Sequence, residues 1–454
     1  MAADPGAPTR HPVPWREPEF FDGPALDTEM RRVFDICHGC RRCFSLCDSF
    51  PRLFDLVDEG ETGEVDGVAS SAFEAVVNAC TLCDMCFMTK CPYTPPHEWN
   101  IDFPHLMLRY RANQHQHGRA PTSASRRLAE TDKNGRLARF MAPLMNWAAS
   151  TDNRPSRWAM EKAAGIHRDA RLPEYRNPSL LRRARKGAPA VNQAAPALGR
   201  KVALYATCFA NYNSPAIGEA ARAVLAHNGV ASEVVYPRCC GMPQLEQGDI
   251  ARVAERAQET AADLAGWIDK GYDVVALVPS CALMLKLEWP LLVPGDSGVA
   301  RLAAHSFDIS EYIVAIAGKE GLATGDGALE GGVTLHMACH ARAQNIGHKA
   351  AEMLRLVPGL EVEVIERCSG HGGSMGVTRD FHDTALKVGK PTARRALEKA
   401  SRFIASECPL AASHIVAGME RLAADNKEAT TGLPQEPRAY HPIELFAKAF
   451  GLAD

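Results

Sequence analysis

Short apolar runs alternate with amphipathic stretches through the second half of the chain. "KVALYAT", "SEVVYPR" and "YDVVALVPS" come first, then "GVTLHMA", "LEVEVIER" and "SRFIAS". These runs are short and rich in Val, Ile and Leu, the pattern of strands buried on both faces of a parallel sheet. Between them lie "PAIGEAARAVLAHNG", "ARVAERAQETAADLAGWIDKG", "HKAAEMLRLVPG" and "TARRALEKA", which carry helical periodicity. Gly229, Gly271 and Gly359 close three of these helices. The alternation predicts two α/β lobes with parallel sheets, over 199–325 and 326–454. The first half reads differently. In "SSAFEAVVNACTLC" the apolar positions Phe73, Val76, Val77 and Ala79–Cys80 have helical spacing. "GRLARFMAPLMNWAAS" places Leu137, Phe140, Met141, Leu144 and Met145 on one helical stripe, with Pro143 breaking it into at best a kinked helix. "RRARKGAPAVNQAAPALG" reads as a linker, and the Pro-rich start, residues 1–25, as a loose, disordered tail.

The cysteines give this frame its chemistry. Fifteen occur in 454 residues. With no secretory signal or apolar run long enough to span a membrane, the chain is expected in the cytoplasm, where thiols stay reduced and metal or redox work is the default over disulfides. Cys37, Cys40, Cys43 and Cys47 form C-x2-C-x2-C-x3-C; Cys80, Cys83, Cys86 and Cys91 form C-x2-C-x2-C-x4-C, followed by Pro92. Three cysteines at every third residue wrap one loop around a cluster face, and the fourth thiolate comes from the other tetrad. The spacing therefore predicts two [4Fe–4S] clusters in residues 26–105, one on Cys37, Cys40, Cys43 and Cys91, the other on Cys80, Cys83, Cys86 and Cys47. A zinc-stapled scaffold is the competing reading, but zinc favours separated C-x2-C pairs and has no use for the third cysteine of each triple.

The remaining seven cysteines fall into two series, Cys208, Cys239–Cys240, Cys281 and Cys339, Cys368, Cys408. The first steps are 31 and 29 positions, the second 42 and 40. The back half is a tandem duplication. Each cysteine follows an apolar run, and so sits at the carboxyl rim of a sheet, where open α/β folds bind ligands. Gly241 and Gly370 supply a hard turn beside it. A third cluster on Cys208, Cys239, Cys240 and Cys281 follows, against the alternative of buried packing cysteines. In the second lobe Ser369 stands where the first has Cys240, leaving Cys339, Cys368 and Cys408, with His340 and His371 alongside. Three readings stay open there: a cluster with a histidine, serine or open fourth position, a lobe kept for structure or quinone contact, or a different metal. His441 is either a hydrogen-bond partner of a cluster ligand or plain structure.

Charge adds one feature. The chain is near neutral at −3, so no nucleic-acid partner is expected. Residues 101–200 nevertheless hold 19 Lys/Arg against 7 Asp/Glu. The basic helical segment over 106–198, with its apolar stripe and Trp147, either lies on an anionic membrane surface or packs its apolar side on the acidic lobes. No G-x-G-x-x-G follows a strand and no P-loop is present.

Several stretches resemble a known family. The 26–105 segment resembles the α-helical two-cluster ferredoxins of respiratory enzymes. "YATCF", "RCCG" and "PSCALM" resemble the cysteine-rich CCG domain of heterodisulfide reductase, and "ACHARAQNIG", "CSGHGGSMG", "SECPLA" and "HPIELFAKA" bring the chain nearer the C-type subunits of anaerobic glycerol-3-phosphate dehydrogenase. The resemblance implies an α+β multi-domain chain, with a helical ferredoxin domain and two tandem CCG-type lobes. It also implies an iron–sulfur electron-transfer subunit that takes electrons from a flavoprotein partner toward quinone, peripheral on the cytoplasmic face of the inner membrane. Met284 replaces the last cysteine of the family's C-x-x-C, so the first lobe offers four thiolates, enough for one ordinary [4Fe–4S] cluster. A catalytic reading, with a disulfide, thiol or quinone turned over at a site-differentiated cluster in a C-terminal lobe, remains beside it.

Overall fold

A computed structural model describes residues 8–119, 123–325, 328–425 and 438–452. The six predicted strands form where the apolar runs lie: β1 (Lys201–Tyr205), β2 (Ala231–Val235) and β3 (Asp273–Ala276) in the first lobe, with the short β4 (Ser306–Asp308) added, then β5 (Val333–His336), β6 (Val362–Ile365) and β7 (Phe403–Ser406) in the second, with the two-residue β8 (Ala439–Tyr440) added. The sheets have orders β2-β1-β3-β4 and β6-β5-β7-β8, with every pairing parallel. The duplication read from cysteine spacing is thus a duplication of topology.

The fourth strands were not predicted. Three residues and two residues are too short to show a period, but both are followed by the same device. Asp308 and His441 each cap the next helix, with Glu311 and Glu444 reaching back in capping boxes. "FDISE" and "YHPIE" are the shared trace of it.

The lobes are joined by exchange of helix contacts. The last helix of the first lobe, Ile309–Lys319, packs on Lys349–Leu354 of the second, and the last helix of the second, Pro442–Ala449, packs on Pro215–His227 of the first. A single apolar core follows, in which Leu204, Ile313 and Val275 meet Leu335, Met353 and Phe446. The residues between Leu180–Ala184 and β1, expected as a linker, lie against the first lobe: Asn192 donates its amide to Ala226 at 2.9 Å, and Ala195 and Ala197 are buried.

The N-terminal region is helical, and the boundary expected at 105 falls inside the helix Phe103–Gln116. Its core is aromatic, with Phe34 edge-on to Phe73 at 5.0 Å and Phe50 against Phe103 at 4.7 Å, and it is continuous with Val253, Leu264 and Trp289 of the first lobe. Residues 8–25 correct the expectation of a loose tail. Val13 and Phe20 are buried, Val13 donates its amide to Leu291 at 2.9 Å, and the Trp15 indole donates to the Leu292 carbonyl at 2.7 Å. Arg10 enters a buried acidic pocket, bonding Asp84 at 2.8 Å, Asp102 at 2.8 Å and Glu288 at 3.1 Å, with its guanidinium 4.6 Å from the Phe87 ring centre. The Pro-rich composition that suggests disorder here serves an extended strap tying the N-terminal region to the first lobe. No helix among the described residues is long and apolar enough to cross a membrane.

Candidate iron–sulfur centres

Cys37 and Cys40 lie one turn apart on the last turn of the helix Gly23–Cys40, and so on one face. Arg41 ends that helix in the left-handed region and donates its amide to the Cys37 carbonyl, which turns the chain so that Cys43 comes back beside them. The Cys37 thiol is held well above its ordinary range by burial and by Cys91, Cys43 and Cys40 around it. Burial, with Cys91 and Cys40, pushes Cys43 up to about 12. The expected first set therefore gathers.

In the second set, Cys47 is raised by burial and by Cys83 and Cys80, and Cys86 by burial and by Cys83, Cys80 and Cys47. Leu82 and Asp84 both take positive φ, 48° and 64°, on either side of Cys83. Such conformations cost free energy in non-glycine residues and occur where the surroundings enforce them. The wall behind is Arg111, buried, whose guanidinium donates to the carbonyls of Val77 at 2.7 Å and Glu246 at 2.8 Å and also to that of Cys80. Nothing in the local pattern around Arg111 announces this, because its partners are remote in sequence.

The third set is built by the first lobe's rim. Cys208 opens the short helix after β1, its cap Thr207 at φ 59° accepting from the Ala210 amide at 3.2 Å. Cys239 and Cys240 precede Gly241 at φ 87°, and Cys281 sits in the helix after β3. Cys208 and Cys239 perturb each other's ionisation, as do Cys239 and Cys240, and Cys240 and Cys281, so the four thiols lie together. Cys208 and Cys240 draw Cys239 well below its ordinary range. Thr131 donates to the Cys239 sulfur at 3.4 Å, Asp132 accepts from the Cys239 amide at 2.8 Å, and the Trp289 indole donates to the Cys240 carbonyl at 3.1 Å. Thr131 and Asp132 come from the basic middle segment, and the cysteine pattern gave no hint of them.

The second lobe departs from its twin. Cys339 and Cys368 lie beside each other, and the third thiol acting on this pair is Cys83 of the N-terminal region. Cys339, with the Gly370 amide donating to the Cys368 sulfur at 3.3 Å, brings Cys368 down to about 7. For Cys408, grouped with them from the sequence, burial raises the thiol, and the charges that act on it most are the carboxylates Glu407 and Glu246 rather than the other two thiols. His340, weighed as a ligand, has both ring nitrogens engaged, Nδ1 with Ser280 at 2.8 Å and Nε2 with the Leu82 carbonyl at 3.3 Å, so it pins the cysteine loop to both lobes. His371 is held neutral by burial and by His414, His340 and His336, its pKa brought down to about 3. The Ser369 hydroxyl accepts from the His371 amide at 3.5 Å and so belongs to its own turn. His336, which the sequence did not single out, binds Ser406 and the Arg367 carbonyl at 2.9 Å each and holds the three strands' ends together. His441 is a helix cap, its Nδ1 accepting from the Ile443 amide at 3.2 Å.

The two turn glycines are not equal. Gly241 at φ 87° would place a Cβ 3.2 Å from a Val253 methyl, whereas Gly370 at φ 78° would place one 2.0 Å from the Ala385 carbonyl oxygen. A side chain can shift and a helix carbonyl cannot. Gly241→Ala is expected to cost about 1–2 kcal/mol, the left-handed penalty alone. Gly370→Ala should cost clearly more, read as the larger drop in denaturation midpoint of the two variants.

No group of three or more His, Cys, Asp or Glu side chains among the described residues is drawn tightly enough to hold a single metal ion. Burial and mutual repulsion raise most of these thiols, Cys37, Cys47, Cys86 and Cys208 among them, and bound metal cations invert that balance. Three sets of four thiols fit the ligand number of a four-iron cluster. The second lobe, with two thiols plus one already used, does not supply a fourth set.

A family profile described as "Cysteine-rich domain" (CCG) matches residues 202–286 and 333–415, the two lobes. The chain is 26% identical over 325 residues to the C-type subunit of the anaerobic glycerol-3-phosphate dehydrogenase of Escherichia coli (strain K12), covering 71% of this chain and 76% of that one. It is 26% identical to the D-type subunit of the dihydromethanophenazine:CoB–CoM heterodisulfide reductase of Methanosarcina acetivorans, over 56% of this chain and 63% of that one. To the B-type subunit of the CoM/CoB fumarate reductase of Methanothermobacter marburgensis it is 25% identical, over 49% of this chain and 43% of that one. With a helical region in front of two CCG cysteine-rich domains, this chain is a relative of subunits of multi-subunit oxidoreductases.

Proposed function

We propose that this chain is an iron–sulfur electron-transfer subunit, relaying electrons from a flavoprotein dehydrogenase toward quinone or another acceptor. What supports the reading most is that thiols from remote segments act on one another: Cys37 with Cys91, Cys47 with Cys80 and Cys83, and Cys208 with Cys239 and Cys281. Cys37, Cys40, Cys43 and Cys91 hold one [4Fe–4S] cluster, Cys47, Cys80, Cys83 and Cys86 a second, and Cys208, Cys239, Cys240 and Cys281 a third. When bound, the clusters supply one-electron redox chemistry. The chain's own residues fix their ligands: Arg111 secures the Cys80 carbonyl, Trp289 the Cys240 carbonyl, and Thr131 and Asp132 brace Cys239. Lobe limits near 199–325 and 326–454 accompany this reading, with the N-terminal region running on through the helix Phe103–Gln116, as does a cytoplasmic setting.

Anaerobic purification with iron and sulfide counts tests it. About twelve irons per chain are expected with four-iron clusters, and about eight would empty the first-lobe site. A colourless zinc protein would overturn the relay in favour of a scaffold. One observation favours a catalytic reading as well: the Gly370 amide donates to the Cys368 sulfur at 3.3 Å beside Cys339, and Cys368 is lowered to about 7. Turnover of a disulfide by the isolated chain, without any partner, would establish that reading in place of the relay.

A further inference from the structure

The arm formed by the helix Thr131–Ala138, the turn Arg139–Met141 and the helix Ala142–Ala149 is packed inside out. Its small residues face the protein. Gly135 lies so close to the Tyr212 ring that a Cβ there would come within 2.3 Å, and Ala138 and Ala142 are buried. Its large apolar residues face outward: Leu137, Phe140, Met141, Leu144, Met145 and Trp147 are all exposed, Phe140 at 66% and Trp147 at 64%. Trp158, on the next helix Arg154–Ala164, is exposed too. The alternative in which this stripe packs on the acidic lobes is therefore excluded, and Pro143 falls in the first turn of the second helix, where it is tolerated. Single exposed apolar residues are ordinary on a protein surface, but a contiguous ridge of six marks an interaction site.

Three acids near the ridge are turned away from it, while Asp152, beyond Trp147, is exposed. Glu130 is turned to Arg252, Asp132 to the Cys239 amide and Glu161 to Arg168. Lys133 and Arg136 are exposed, and the Arg139 guanidinium lies 4.7 Å from the Phe140 ring centre. The outward face is thus apolar and cationic, with tryptophan at its end. Apolar bulk with flanking cations suits the boundary of an anionic bilayer, where acyl chains take the ridge and headgroups take the cations. Tryptophan favours the same depth.

We infer that this arm docks the chain on an anionic lipid surface. The arm's inner end is Thr131 and Asp132, in contact with Cys239, so docking sets the first lobe's thiol site on the bilayer side of the molecule. The inference needs no cluster in any site and stands or falls apart from the relay.

The test is co-sedimentation of the full chain with vesicles of phosphatidylcholine alone or mixed with phosphatidylglycerol. Binding to the mixed vesicles is expected, with much weaker binding to the neutral ones. Phe140→Ser with Trp147→Ser should weaken it about tenfold or more. Arg136→Glu with Arg139→Glu should weaken it about tenfold and remove its salt dependence. Circular dichroism identical to the parent's shows that the variants fold, and brominated lipid should quench emission that is lost in Trp147→Phe. Absence of binding to anionic vesicles overturns the inference, as does binding that these substitutions leave unchanged. A concentration-dependent dimer abolished by the same variants would also overturn it, giving the ridge to a second copy of the chain.

Discussion

Replacing Cys240 by alanine is expected to remove about four irons per chain while leaving about eight, those of the two N-terminal clusters. Cys240 is buried and its thiol is raised by Cys239 and Cys281, and the Trp289 indole fixes its carbonyl. Its loss leaves three thiolates and a void in a buried site, with no other thiol at hand. The same substitution at Cys408 should leave the iron count unchanged, because the charges that act on Cys408 most are carboxylates, Glu407 and Glu246, and not other thiols. Iron analysis with low-temperature EPR of the two variants, side by side, reads both outcomes. Equal iron in the Cys240 variant and its parent would mean that the first lobe binds no cluster.

Arg10→Ala is expected to destabilise the chain by about 3–5 kcal/mol, the cost of leaving buried charge unpaired. The guanidinium is the hub for Asp84, Asp102 and Glu288, and His105 lies 3.3 Å from both Asp102 and Glu288. Burial alone would raise Asp102, but His105 and Arg10 outweigh it and hold its pKa at about 2. Because that value is depressed, the stabilisation is present above the ordinary carboxylate range and is lost as pH falls toward about 2. In Arg10→Ala the loss should begin at higher pH. Urea midpoints measured across the acid range check it, and a parent and variant with the same acid limb would refute the hub. The substitution should also loosen the first lobe from the N-terminal region, since Glu288 belongs to the one and Asp84 and Asp102 to the other.

These two sites differ in how far the residues announced them. That the first-lobe cysteines share a sheet rim was legible, because each rim cysteine follows an apolar run that makes a strand. The Arg10 pocket was not, because "TRHPVPW" looks like any Pro-rich tail until Glu288 is known to lie opposite. The parallel lobes were legible from six buried strands, whereas β4 and β8 were too short to have a period. The pairing of Cys339 and Cys368 with Cys83, in place of Cys408, depends on how the N-terminal loop docks on the second lobe through His340 and Leu82. Spacing within one lobe cannot encode that. Gly370 and Gly241 were read correctly as turn residues, but only the packing against Ala385 separates a glycine that tolerates change from one that does not.

The crossed packing of the lobes' last helices has an evolutionary consequence. Pro442–Ala449 seals Pro215–His227, so the first lobe has no finished surface without the second. A duplicated unit that serves as a mould for its sister cannot be removed without opening that sister's core, whatever residue stands at Ser369.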